Sequence, residues 1–128
     1  MVVMTDAVST VTAFCDAWAT GDLDAIMSFF ADDAEYHNIP LSPVTGAEPI
    51  RKTIEGFTAA ATSVEFRVRN IAATASGDVV LTERVDVFVF PNGRVELPVS
   101  GTFELRDGKI AAWRDYFDLN QFTSALPK

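Results

Sequence analysis

Near Val64 the spacing of apolar residues changes from helical to alternating, and that switch dictates most of what the chain can fold into. Before it, Val8, Val11, Phe14, Cys15 and Trp18 recur at helical steps, between a cap at Thr5 or Asp6 and a stop at Gly21. Asp22 caps a second helix with Leu23, Ile26, Met27 and Phe30 as one stripe. Ala34 to Asn38 reads as a short strand stopped by Pro40. Gly46 to Phe57 reads as a third helix, with Ile50, Ile54 and Phe57 inward and Pro49 tolerated in its first turn. After the switch, Val64, Phe66 and Val68 alternate with Glu65, Arg67 and Arg69. Ser76-Gly77-Asp78 then turns the chain into Val79–Phe90, and Pro91-Asn92-Gly93 and Asp107-Gly108 are hairpin signals that lead into Val95–Leu105 and Lys109–Leu119. Helices first and hairpins afterwards predict an α+β fold, a curved antiparallel sheet with the N-terminal helices on its concave side.

A chain of 128 residues with 48% hydrophobic residues, ten Phe and two Trp can bury a real core, and without repeats or linkers it is expected to be a single domain over 1–128. Ten Lys plus Arg against eighteen Asp plus Glu leave a net charge of −8, which opposes nucleic-acid or anionic-membrane binding. Cys15 is the only cysteine and His37 the only histidine, so an internal disulfide and a structural zinc site are both disfavoured, and a cytoplasmic location is the default. The run from Met1 to Asp6 lacks the basic and apolar regions of a signal peptide, and no apolar run approaches the length of a membrane span.

Two of the predicted strands carry charges where apolar residues belong. In Glu83-Arg84-Val85-Asp86, Arg84 and Asp86 share a face with Phe88, because side chains alternate along a strand. In Trp113-Arg114-Asp115-Tyr116-Phe117-Asp118, Asp115 shares a face with Trp113 and Phe117. On the early strand Tyr36 and Asn38 point the same way, and Leu97, Val99 and Gly101 have the parity to continue an apolar wall. Buried charge is costly unless paired, so one guanidinium between two aspartates needs a reason. One reason is a plain ion-pair network. The other is a site that needs an acid and a base, since two carboxylates on one arginine in low dielectric do not both ionise easily. The ionised one can take a proton from water and the protonated one can deliver a proton to a leaving oxygen, while Tyr36 and Asn38 hold the water. Opening a strained cyclic ether needs both functions at once. Glu83, Arg114 and Asp118 have the opposite parity and read as solvent-facing or structural, and His37 reads as an edge histidine without chemistry. Val79–Phe90 is apolar on both faces, so the face that the helices leave uncovered is expected to form a homodimer contact.

The runs Tyr36-His37-Asn38-Ile39-Pro40-Leu41, Thr82-Glu83-Arg84-Val85-Asp86-Val87 and Trp113-Arg114-Asp115-Tyr116-Phe117-Asp118 together resemble the limonene epoxide hydrolase family, over most of the chain from about Phe14 to Phe122. The resemblance implies the cone-shaped α+β half-barrel of the nuclear transport factor 2-like superfamily, a dimer, and one-step epoxide opening with no cofactor, no metal and no covalent ester. It implies Asp115 as the base that activates water, Asp86 as the acid, Arg84 as the bridge, and Tyr36 and Asn38 as the water holders. By position it implies a substrate-binding wall of Cys15, Trp18, Phe57, Phe88, Leu97, Val99 and Phe117. Trp18 and Phe57 stand where one member of the family carries aliphatic side chains, which leaves the substrate range open. Rival readings on the same fold are a ketosteroid isomerase-like or polyketide cyclase-like enzyme with one base and an oxyanion site, and a non-catalytic binder of small apolar ligands.

Overall fold

The structure is a computed structural model describing residues 6–127, so Thr5 as a helix cap and the character of the first five residues lie outside what is described. The elements run α1 (Ala7–Trp18), α2 (Leu23–Met27), β1 (Phe30–Asn38), β2 (Val44–Thr45), α3 (Ala47–Thr58), β3 (Ser63–Ala73), β4 (Val79–Phe90), β5 (Gly93–Arg106), β6 (Lys109–Tyr116) and α4 (Leu119–Ala125). Six strands form one curved sheet in the order β2-β1-β6-β5-β4-β3, which stays open because β2 and β3 are not neighbours. The α+β class is therefore as expected, with one difference of detail: β1 and β6 pair in parallel while every other pair is antiparallel.

Local chemistry explains the boundaries. Asp6 caps α1, its Oδ1 accepting from the Ser9 N–H at 2.7 Å, and Asp22 caps α2 through the Ala25 N–H at 3.2 Å. Asp107 and Gly108 take φ values of 52° and 77°, the left-handed pair that a two-residue hairpin turn requires. Phe30 departs from expectation. Helix α2 stops at Met27, where the Ser28 hydroxyl donates back to the Ala25 carbonyl, and Phe30 opens β1 as a buried residue opposite Ile110. The last strand also stops sooner than expected. Asp118 accepts from the Gln121 N–H at 3.1 Å and starts α4, a helix that the strand pattern hides.

The core is aromatic. Phe14 is fully buried and meets the rings of Phe29, Phe30, Phe103 and Trp113 edge-on at 5.1–5.8 Å between centroids. Trp18 lies flat against Phe66 at 4.3 Å. Helix α1 packs on β3 and β4, and α3 packs on β1, so the inner face of the sheet is covered. On β4 this buries Val80, Thr82, Arg84, Asp86 and Phe88, while Leu81 and Glu83 face outward. No described helix is long and apolar enough to cross a membrane.

Candidate active site

The strand registers bring the predicted polar residues together. Asn38 of β1 lies opposite Asp115 of β6, Asp115 lies opposite Gly101 of β5, and Gly101 lies opposite Thr82 of β4, two residues before Arg84. Arg84, Asp86 and Asp115 are each at most 3% exposed. All five guanidinium N–H groups find acceptors. Nε and Nη2 donate to the two oxygens of Asp86 at 2.9 and 2.8 Å, Nη1 and Nη2 donate to those of Asp115 at 3.2 and 2.8 Å, and Nη1 also donates to the Thr82 hydroxyl at 3.1 Å. The guanidinium lies over the Phe66 ring at 4.7 Å.

The two carboxylates are not equivalent. Asp115 Oδ1 accepts a further hydrogen bond, from the Trp113 indole N–H at 2.6 Å, whereas among the described residues the hydrogen bonds to the Asp86 carboxylate come from Arg84 alone. Burial drives the Asp86 carboxyl up, the hydrogen bonds and charge of Arg84 pull it down, and Asp115 pushes it up again, leaving it at about 6. For Arg84, burial opposes the charge, but Asp115 and Asp86 outweigh it and hold the guanidinium protonated. Burial and the nearby Asp115 raise the Tyr36 phenol well above its ordinary range, so it keeps its proton. That hydroxyl donates to Asn38 Oδ1 at 3.2 Å, and its ring stacks on Trp113 at 4.2 Å. The phenol lone pairs and the Asn38 amide hydrogens are left for a third group, such as a water molecule.

A cavity opens above this network. Tyr36, Asn38, Asp86 and Asp115 form its polar end, and Phe57, Phe66, Phe88, Leu97, Val99 and Phe117 form its apolar wall, with Leu41, Leu119 and Phe122 completing the lining. Arg84 is not part of that lining; it sits behind the two carboxylates it bridges. Five of the seven wall residues expected by resemblance face the cavity, namely Phe57, Phe88, Leu97, Val99 and Phe117. Cys15 and Trp18 do not. Both are buried in the core, where Trp18 stacks on Phe66 and lies parallel to Phe57 at 6.1 Å, so it backs the wall instead of forming it. Burial pushes the Cys15 thiol up to about 12, which keeps it an inert neutral group.

Sequence reasoning overlooked Thr82 and Trp113 as hydrogen-bonding partners, although each stands two residues from its acidic or basic neighbour on the same strand face. It also missed Leu119 and Phe122, whose spacing behind the Asp118 cap is the signature of one helical turn. The residues read as structural hold to that reading. Glu83 accepts from Asn70, Arg114 pairs with Glu104, and the His37 ring contacts the Leu41 carbonyl.

The limonene-1,2-epoxide hydrolase catalytic domain family matches residues 5–128. Epoxide hydrolase EphG of Mycobacterium tuberculosis is 36% identical over 116 residues, which cover 91% of this chain and 76% of that protein. The solved structure of a limonene epoxide hydrolase-like epoxide hydrolase, also from M. tuberculosis, superposes with a TM-score of 0.81 at 32% identity, covering 94% of this chain and 88% of the other. An NTF2-like protein of unknown function from Burkholderia pseudomallei shares the fold at 14% identity, with a TM-score of 0.84 over 98% of this chain and all of its own.

The Asp86 carboxyl gives a testable pH dependence. Its folded value of about 6 exceeds an unfolded value near 4, so the folded state binds the proton more tightly. That stabilisation is fully present below about pH 4 and is lost as pH rises through about 6. Urea unfolding is expected to show the wild type losing up to roughly 3 kcal/mol from this group between pH 4 and 7, a loss missing in Asp86→Asn. Identical pH slopes in the two proteins would refute the assignment.

Proposed function

The chain belongs to the limonene-1,2-epoxide hydrolase family, and from that premise we propose that it converts a small cyclic or terpenoid epoxide to a vicinal diol in one push–pull step. The observation that carries this reading is the pair of cavity-facing carboxylates with unequal hydrogen bonding, Asp86 and Asp115, on one buried arginine. Epoxide opening needs an electron-rich nucleophile on one side of the ring and a proton on the other. Tyr36 and Asn38 hold a water molecule beside Asp115. Asp115 takes one proton from that water as its oxygen bonds to an epoxide carbon. The carbon–oxygen bond of the ring breaks, and Asp86 gives its proton to the departing oxygen, which becomes the second hydroxyl. Asp115 ends protonated and Asp86 ionised, and proton exchange with solvent after diol release restores the starting state. Arg84 stays charged throughout, so either carboxylate has a cation beside it when it carries the negative charge.

The substrate class follows from the walls. Nine apolar side chains and, among the described residues, no charged group beyond the two carboxylates line the cavity, which suits a compact hydrocarbon ring bearing one oxygen. A homodimer is part of the same proposal. Leu81 and Tyr116 remain 48% and 47% exposed on the outer face of the sheet, and a second copy would cover them. Sedimentation equilibrium should return the mass of two chains, and a single-chain mass at micromolar concentration would count against it.

The decisive assay is a single turnover of a cyclic epoxide such as limonene oxide in oxygen-18 water. The proposal expects the label in the first diol formed; unlabelled first-turnover diol would mean that an enzyme carboxylate attacked instead. Asp115→Asn and Asp86→Asn are each expected to lose roughly 100- to 10,000-fold in kcat while remaining folded by circular dichroism. Near-full turnover in either variant removes that residue from the mechanism.

A further inference from the structure

Strand β5 separates β4 from β6, so the Arg84 side chain must pass over it to reach Asp115, about two strand spacings or 10 Å from its own strand. The inward positions of β5 are bulky at Val95, Leu97, Val99 and Phe103, and Gly101 alone among them has no side chain. Its φ lies outside the left-handed region, so conformational freedom does not explain the glycine, and glycine inside a strand weakens it. Close approach does explain it. A Cβ at 101 would stand 2.3 Å from Arg84 Nη1, 2.6 Å from Asp115 Oδ1 and 3.0 Å from Thr82 Oγ1. Each is inside contact distance, and all three belong to one network. The Thr82 hydroxyl completes the frame, accepting from Nη1 at 3.1 Å while donating to the Gly101 carbonyl at 3.3 Å.

We propose that Gly101 and Thr82 are positioning residues for epoxide opening: Gly101 is the gap through which the guanidinium reaches Asp115, and Thr82 fixes its rotation by occupying the last N–H. The proposal rests on the push–pull reading and extends it to two residues that touch neither water nor epoxide. A methyl group at 101 would force the guanidinium from Asp115. It would cut kcat without much effect on a binding wall built by other residues.

Gly101→Ala is therefore expected to lose about 100-fold in kcat, with KM within about threefold of wild type. The acidic limb of its pH profile should move to higher pH, because a carboxylate that loses its guanidinium is harder to ionise. Its crystal structure should show Arg84 detached from Asp115. Thr82→Val should lose roughly tenfold in kcat, and Thr82→Ser, which keeps the hydroxyl, should recover most of it. A folded Gly101→Ala with the Arg84–Asp115 contacts intact and an unmoved pH profile overturns the role of the gap. Equal rates for the Val and Ser variants overturn the role of the hydroxyl, and that pair decides the matter if Gly101→Ala does not fold. If the wild type opens no epoxide, the functional reading fails, while the crystal structure of Gly101→Ala still tests the positioning claim.

Discussion

A buried guanidinium with every N–H committed is the constraint around which this fold is arranged. Taking Arg84, Asp86 and Asp115 out of water costs several kcal/mol per charge, and only near-complete pairing offsets it. Such pairing demands that β4, β5 and β6 hold their registers to within a fraction of an ångström, since one residue of slip would turn Asp115 or Arg84 to the outer face. The long hairpins, and the left-handed turn at Asp107 and Gly108 that sets the register of β6, therefore serve the polar site as much as the core.

The aromatic core reaches into the same network. Trp113 stacks on Phe103 and Tyr36, meets Phe14 edge-on, and donates its indole N–H to Asp115. One side chain thus ties the position of a carboxylate and of the Tyr36 hydroxyl to the packing of α1. The third donor on Asp115 breaks the symmetry of the Arg84 bridge, while burial has pushed the Asp86 carboxyl up to about 6. In the proposed reaction that upward shift is what lets Asp86 serve as the acid.

Much of this was legible in the residues. Period-2 parity placed Arg84 with Asp86 and Tyr36 with Asn38, and the Asp-Gly turn located the last hairpin correctly. Parity set Thr82 beside Arg84 and Trp113 beside Asp115 without showing that their polar atoms meet, and it cannot show how far a side chain reaches across neighbouring strands, so the gap at Gly101 emerged only with the structure. Cys15 and Trp18 were placed on the cavity wall by resemblance, yet the bulk of Trp18 lets it stack against Phe66, which itself supplies the wall. Phe30 sat in helical spacing with Ile26, and only the pairing of β1 with β6 decided its strand state. Helix α4 was hidden because Lys109–Leu119 reads as one continuous β-prone run until Asp118 caps a turn.

The proposed push–pull step requires the protonated and ionised states of the Asp86 carboxyl to interchange near pH 6 although Arg84 lies beside it. Carbon-13 NMR of carboxyl-labelled aspartate, assigned with Asp86→Asn and Asp115→Asn, observes those states directly in the free protein. The Asp86 signal is expected to titrate near pH 6. An Asp86 signal titrating near pH 4, like that of an ordinary surface aspartate, would contradict it.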